Sequence, residues 1–106
     1  MKNKTAIVTG AGSGIGRAVT IELLTAGFNV VLAGRRTDAI EETISLAGNA
    51  PGQSLPITTD VTEEAAVLTL FGKTFETFGH LDLLFNNAGI NVPGLPFENL
   101  SVDQWK

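Results

Sequence analysis

The sequence is 106 residues long, 43% hydrophobic and 17% charged, with a net charge of −4. That balance fits one domain or part of one, with enough apolar residues for a core. The acidic charge argues against a nucleic-acid or anionic-membrane surface, and the absence of cysteine excludes disulfides and thiolate metal sites.

The elements follow in chain order. Lys4 to Thr9 reads as a buried parallel strand, apolar on both faces. The stretch is too short for a signal peptide or a membrane span, so the cytoplasm is the expected location. Thr9-Gly10-Ala11-Gly12-Ser13-Gly14-Ile15-Gly16 follows as a glycine-rich turn into a helix. Strand, glycine turn and helix make a phosphate cradle, because a helix N-terminus offers unpaired N–H groups and partial positive charge. The strict G-x-G-x-x-G fingerprint fails, since Ile15 and Arg17 stand where its last glycine belongs. The P-loop pattern fails too, and what stands is T-G-x-x-x-G-x-G.

Ile15 to Ala26 reads as a helix with Ile15, Ala18, Val19, Leu23 and Ala26 inward, ended by a left-handed Gly27. Phe28 to Ala33 is a second strand, followed by Gly34-Arg35-Arg36. Thr37 or Asp38 is expected to cap a helix reaching about Ala47. Ser54 to Thr59 is a third strand, and Pro56 within it suits a sheet edge. Asp60-Val61 follows. Thr62 is expected to cap a helix whose apolar face is Val67, Leu70, Phe71, Phe75 and Phe78. Gly79 ends it, and His80 reads as a solvated turn residue. Leu81 to Phe85 is a fourth strand, and Asn86-Asn87-Ala88-Gly89 follows. Ser101-Val102-Asp103-Gln104 matches a capping box two residues before Lys106, so the sequence reads as the N-terminal piece of a longer protein.

The β-α-β-α-β-α-β pattern predicts an α/β fold of Rossmann type over residues 1–106, one incomplete domain. Its doubly wound parallel sheet would have four strands in the order 3-2-1-4. Ligands then bind at the carboxyl ends of the strands, where all four glycine, arginine, aspartate and asparagine motifs converge. An acidic residue after the second strand would bind a ribose 2′-hydroxyl. Gly34 stands there, and Arg35 and Arg36 are suited to a 2′-phosphate, with Arg35 the main contact. This favours NADP over NAD. The Asp60 carboxylate could accept from an adenine amino group, with Val61 against the ring. No metal-ligand cluster stands out.

With these motifs in register, the sequence resembles the short-chain dehydrogenase/reductase family. Thr9 to Gly16, Asp60-Val61-Thr62 and Asn86-Asn87-Ala88-Gly89 carry the resemblance, which covers essentially the whole chain. It implies an NAD(P)-dependent oxidoreductase acting on a small alcohol or carbonyl, homo-oligomeric at full length. It implies that Gly10, Ala11, Gly12, Ser13 and Ile15 cradle the pyrophosphate, with Gly14 and Gly16 in the same motif. It further implies that Asp60 and Val61 hold the adenine, and that Asn87, Ala88 and Gly89 line the nicotinamide-side ribose. Asn86 looks like a sheet-stabilising residue. Ser13 stands where some NADP-preferring members carry a base, so the NADP reading rests on the arginine pair.

The family's catalytic Asn, Ser and Tyr-x-x-x-Lys are not found here. The sequence has no tyrosine, and neither Lys73 nor Lys106 sits in such a pattern. The 106 residues alone are therefore expected to be inactive. A non-catalytic NADP-binding sensor is the alternative on this fold. A methyltransferase is disfavoured by Gly34-Arg35-Arg36, since its adenosine donor also wants an acidic residue there.

Overall fold

A computed structural model describes residues 4–87. Ala88, Gly89, the loop from Ile90 to Leu100 and the capping box at Ser101 lie outside the described residues. The elements are β1 (Thr5–Thr9), α1 (Gly14–Thr25), β2 (Asn29–Gly34), α2 (Thr37–Ala47), β3 (Ser54–Thr58), α3 (Glu64–Phe78) and β4 (Leu83–Asn86).

The four strands form one parallel sheet in the order β3-β2-β1-β4, as expected. In register, Val8 pairs with Leu32 on one side and Phe85 on the other. Pro56 falls in β3, which among the described residues has a strand neighbour on one side, so its missing N–H leaves the pairing with β2 intact. β4 begins two residues later than expected, with Leu81 and Asp82 ahead of it.

Side chains alternate across the sheet. Ala6, Val8, Val30, Leu32 and Phe85 pack with Val19, Leu23 and Leu24 of α1 and Ile40 of α2. Ile7, Val31, Ala33 and Leu84 face the other way, onto Val67, Leu70 and Phe71 of α3. Burial on both faces explains why β1 and β2 read as unbroken apolar runs.

The inward face of α1 is Gly16, Val19, Thr20, Leu23 and Leu24. Ile15, Ala18 and Ala26, expected inside, are exposed. Thr20 explains the rotation, because its hydroxyl donates to the Gly16 carbonyl at 2.8 Å and leaves its methyl group for the core. Thr74 does the same in α3, donating to Leu70 O at 2.8 Å, and Phe75 is half-exposed one step round the helix. Gly27 has φ +96° just beyond the α1 C-cap, Ala26, and Phe28 N closes the turn on Leu23 O.

The expected helix caps shift as well. Arg36 and Glu63 occupy the N-cap positions of α2 and α3, and neither makes a side-chain cap bond. Thr62 is held instead by Asp60, whose Oδ1 accepts from its amide at 3.0 Å and its hydroxyl at 2.6 Å. His80 is not simply solvated. Its Nε2 lies 3.2 Å from Asp82 Oδ2, and that oxygen accepts from Thr5 N at 2.8 Å.

Candidate functional site

The carboxyl ends of β1, β2 and β3 surround a cavity of about 290 Å³. Its lining includes Gly10, Gly12 and Ser13 from the first turn, Arg35 and Arg36 from the second, and Val61 from the third. Ala39 and Ile40 of α2 form its floor with Gly34 and Thr59. No side chain could take the place of hydrogen at Gly16, because a Cβ there would collide with the Gly10 carbonyl. Gly10 turns with φ +66°, and a Cβ on it would stand 2.8 Å from Asn87 Nδ2. The first turn thus packs on α1 behind it and on the end of β4 beside it.

The first helical hydrogen bond of α1 runs from Arg17 N to Ser13 O at 3.2 Å. The amides of Gly14, Ile15 and Gly16 precede it and have no intrahelical acceptor. Ser13 is extended, at φ −160° and ψ 165°, and its hydroxyl does not cap them. Such a helix end attracts an anion. Ile15 is 61% exposed on this rim. Ala11 is fully buried, its amide directed to Ala33 O and its carbonyl taken by Thr43 Oγ1 at 2.8 Å.

The two arginines after β2 differ. Arg36 pairs with Asp38 at 3.4 Å, both side chains well exposed. The Asp38 carboxyl lies below its ordinary range because the Ala39 amide and then Arg36 stabilise its charge. Arg35 makes no hydrogen bond or ion pair among the described residues, so its guanidinium is available. The Asp60 carboxyl is also held low, chiefly by the Thr62 hydroxyl and amide, with Arg35 adding a smaller attraction. Both Thr62 bonds fall on Oδ1, which leaves Oδ2 for another donor. Asp60 flanks the cavity through its neighbours Thr59 and Val61.

At the end of β4, Asn86 Oδ1 lies 3.4 Å from the Thr9 hydroxyl, which ties β4 to β1. Asn87 stands against Gly10 without lining the cavity. Among the described residues no group of three or more His, Cys, Asp or Glu could hold a metal, and no helix is long and apolar enough to cross a membrane.

Two residues with a structural hold on the site escape the sequence motifs. Arg17 Nη2 donates to the Gly12 carbonyl at 2.6 Å and meets Glu42 Oε1 at 3.0 Å. Its Nε donates to the buried Thr43 hydroxyl at 3.0 Å. A signal was available: a cation in the first turn of a helix opposes the helix dipole and needs a local partner.

The family described as short chain dehydrogenase matches residues 4–106. A 2,5-dichloro-2,5-cyclohexadiene-1,4-diol dehydrogenase from Sphingobium indicum is 41% identical over 107 aligned residues, covering 100% of this chain and 41% of that protein. A probable NADP-dependent dehydrogenase from Haemophilus influenzae is 36% identical, covering 99% of this chain and 40% of its own length. The solved structure of an NAD⁺-bound xylitol dehydrogenase superposes with a TM-score of 0.78 at 33% identity, covering 83% of this chain and 34% of that one. The chain therefore spans about two fifths of the length of the curated relatives it matches.

Proposed function

The chain belongs to the short-chain dehydrogenase/reductase family, and from that premise we propose that it forms the NADP(H)-holding half of an oxidoreductase acting on a small alcohol or carbonyl. The observation that carries this reading is the shared cavity. The glycine turn, the arginine pair and Val61 come from three strand ends and face one space. Its chemistry matches the parts of a dinucleotide. The uncapped helix end and the turn before it receive the pyrophosphate. Arg35 receives the 2′-phosphate, and no carboxylate stands at Gly34 to repel it. Asp60 Oδ2 accepts from the adenine amino group, and Val61 packs on the ring. Asn87, Ala88 and Gly89 serve the second ribose.

Within that set, Ala11, Gly14 and Gly16 shape the turn, while Gly12, Ser13 and Ile15 meet the ligand. The bound nicotinamide supplies hydride transfer, and this chain's residues bind and orient the cofactor. The 106 residues hold no tyrosine, so a phenol proton donor would come from sequence outside them, and by themselves they do not turn over. The diol dehydrogenase among the relatives supports an alcohol or carbonyl substrate.

Fluorescence titration of the full-length protein with NADPH and NADH tests the reading. Tighter binding of NADPH is the expected result, by about tenfold or more for a guanidinium–phosphate contact. Binding of neither cofactor would overturn the assignment, and tighter NADH would overturn its NADP part. Carbonyl reduction by the purified 106 residues with NADPH would refute their inactivity.

A further inference from the structure

We propose that Arg17 is a positioning residue that sets the orientation of the pyrophosphate cradle, an assignment that rests on the nucleotide reading above. A cradle for an anion must present N–H groups and turn its carbonyl oxygens away. In this turn, two successive carbonyls are drawn to the α2 side. Thr43 Oγ1 donates to Ala11 O at 2.8 Å, and Arg17 Nη2 donates to Gly12 O at 2.6 Å. The two donors are linked, since Arg17 Nε donates to the same Thr43 hydroxyl at 3.0 Å. Arg17 Nη2 also reaches Ala39 O at 3.3 Å, in the first turn of α2.

Arg17 therefore joins the turn to the helix that floors the cavity. It does so from outside the cavity, without lining it. Glu42 offsets its charge at 3.0 Å, so geometry and not added positive potential is what Arg17 contributes. Only a guanidinium fits the task, because Nε and Nη2 must donate in two directions at once.

The test compares two probes in the full-length protein. ADP needs the cradle. Adenosine 2′-monophosphate needs only the Arg35, Asp60 and Val61 end. Arg17→Met is expected to weaken ADP about tenfold, the size of one charge-assisted hydrogen bond, and to leave adenosine 2′-monophosphate within about twofold. A purely structural role would weaken both alike. Arg17→Lys keeps the charge and loses the two-way geometry, so it should resemble Arg17→Met. Wild-type affinity for ADP in Arg17→Lys would overturn the proposal. Should Arg17→Met not fold, Thr43→Val carries the same test, with ADP weakened about threefold by loss of one neutral hydrogen bond and the other probe unchanged. Wild-type protein that binds neither probe would overturn the nucleotide reading and this assignment together. Wild-type protein that binds both, with Arg17→Met and Thr43→Val unaltered, would overturn this assignment alone.

Discussion

Gly12 meets Ala39 where Gly12 has no room to grow: a Cβ on Gly12 would stand 2.8 Å from the Ala39 Cβ. The contact fixes how closely the first turn approaches α2. Gly12→Ala should lower stability by about 1–3 kcal/mol, as overpacking of a filled site does. Ala39→Gly in the same chain should recover part of it, less the roughly 1 kcal/mol that glycine costs in a helix. Urea unfolding of the two single variants and the double variant reads the coupling. Strictly additive losses would show that this contact does not limit the approach.

Arg35 and Arg36 should not contribute equally. Arg36 shares its charge with Asp38 in an exposed pair, whereas Arg35 has no such partner among the described residues. Arg35→Ala in the full-length protein should weaken NADPH by about tenfold or more while NADH changes little. Arg36→Ala should have a smaller effect, within about threefold. Calorimetric titration of each variant with both cofactors decides, and a larger loss in Arg36→Ala would reverse the assignment.

Asp60 gives the site a pH signature. Its folded carboxyl lies below its ordinary value of 3.8, chiefly through Thr62. A depressed value means that the folded state binds fewer protons than the unfolded chain. The stabilisation is therefore present above the unfolded value and is lost as pH falls through the folded one. The difference in unfolding free energy between wild type and Asp60→Asn should be constant above about pH 5 and shrink below about pH 4. Urea titrations across that range measure it. A difference that grows in acid would contradict the Thr62 contact.

Two buried threonines separate a local from a long-range role. Thr74 donates to a carbonyl four residues back in its own helix, and that carbonyl belongs to the helical ladder anyway. Thr43 donates to Ala11 O at 2.8 Å in the turn after β1, a shorter contact than the 3.2 Å to Ala39 O of its own helix. Thr74→Val should change stability by less than about 1 kcal/mol, whereas Thr43→Val should cost about 1–3 kcal/mol by stranding a buried carbonyl. Thermal unfolding of both variants gives the comparison.

These threonines also mark where the sequence was hard to read. Strand order was legible because β1 and β2 are apolar on both faces and every connection carries a helix. The helix faces hold at Val19, Leu23, Val67, Leu70 and Phe71 and depart from the apolar pattern at Ile15, Ala18, Ala26 and Phe75, which are exposed. Thr20, Thr43 and Thr74 are fully buried, yet a count of apolar residues passes over them. Their hydroxyls are satisfied by backbone, and what remains is a methyl group that packs like valine. The glycine turn and the arginine pair were legible as motifs, since their backbone freedom and charge are local properties. Arg17 was not. Its partners Thr43, Ala39 and Glu42 lie 22 to 26 residues away, and only the fold brings them to it. Likewise, the two carbonyls it helps to withdraw carry no mark in the sequence.

The central place of β1 has a consequence for how the chain is made. Its pairing with β2 joins Thr5 to Asn29, a short loop to close. Its other edge waits for β4, with Asp82 folding back onto Thr5 across 77 residues. Closure over such a span is slow compared with the local βα units. As the chain leaves the ribosome, the first βαβ unit can assemble while one side of its oldest strand still lacks a neighbour. The glycine turn sits at the end of that strand. It gains its contact with the end of β4, Asn87 against Gly10, only when residues some eighty positions later have been synthesised.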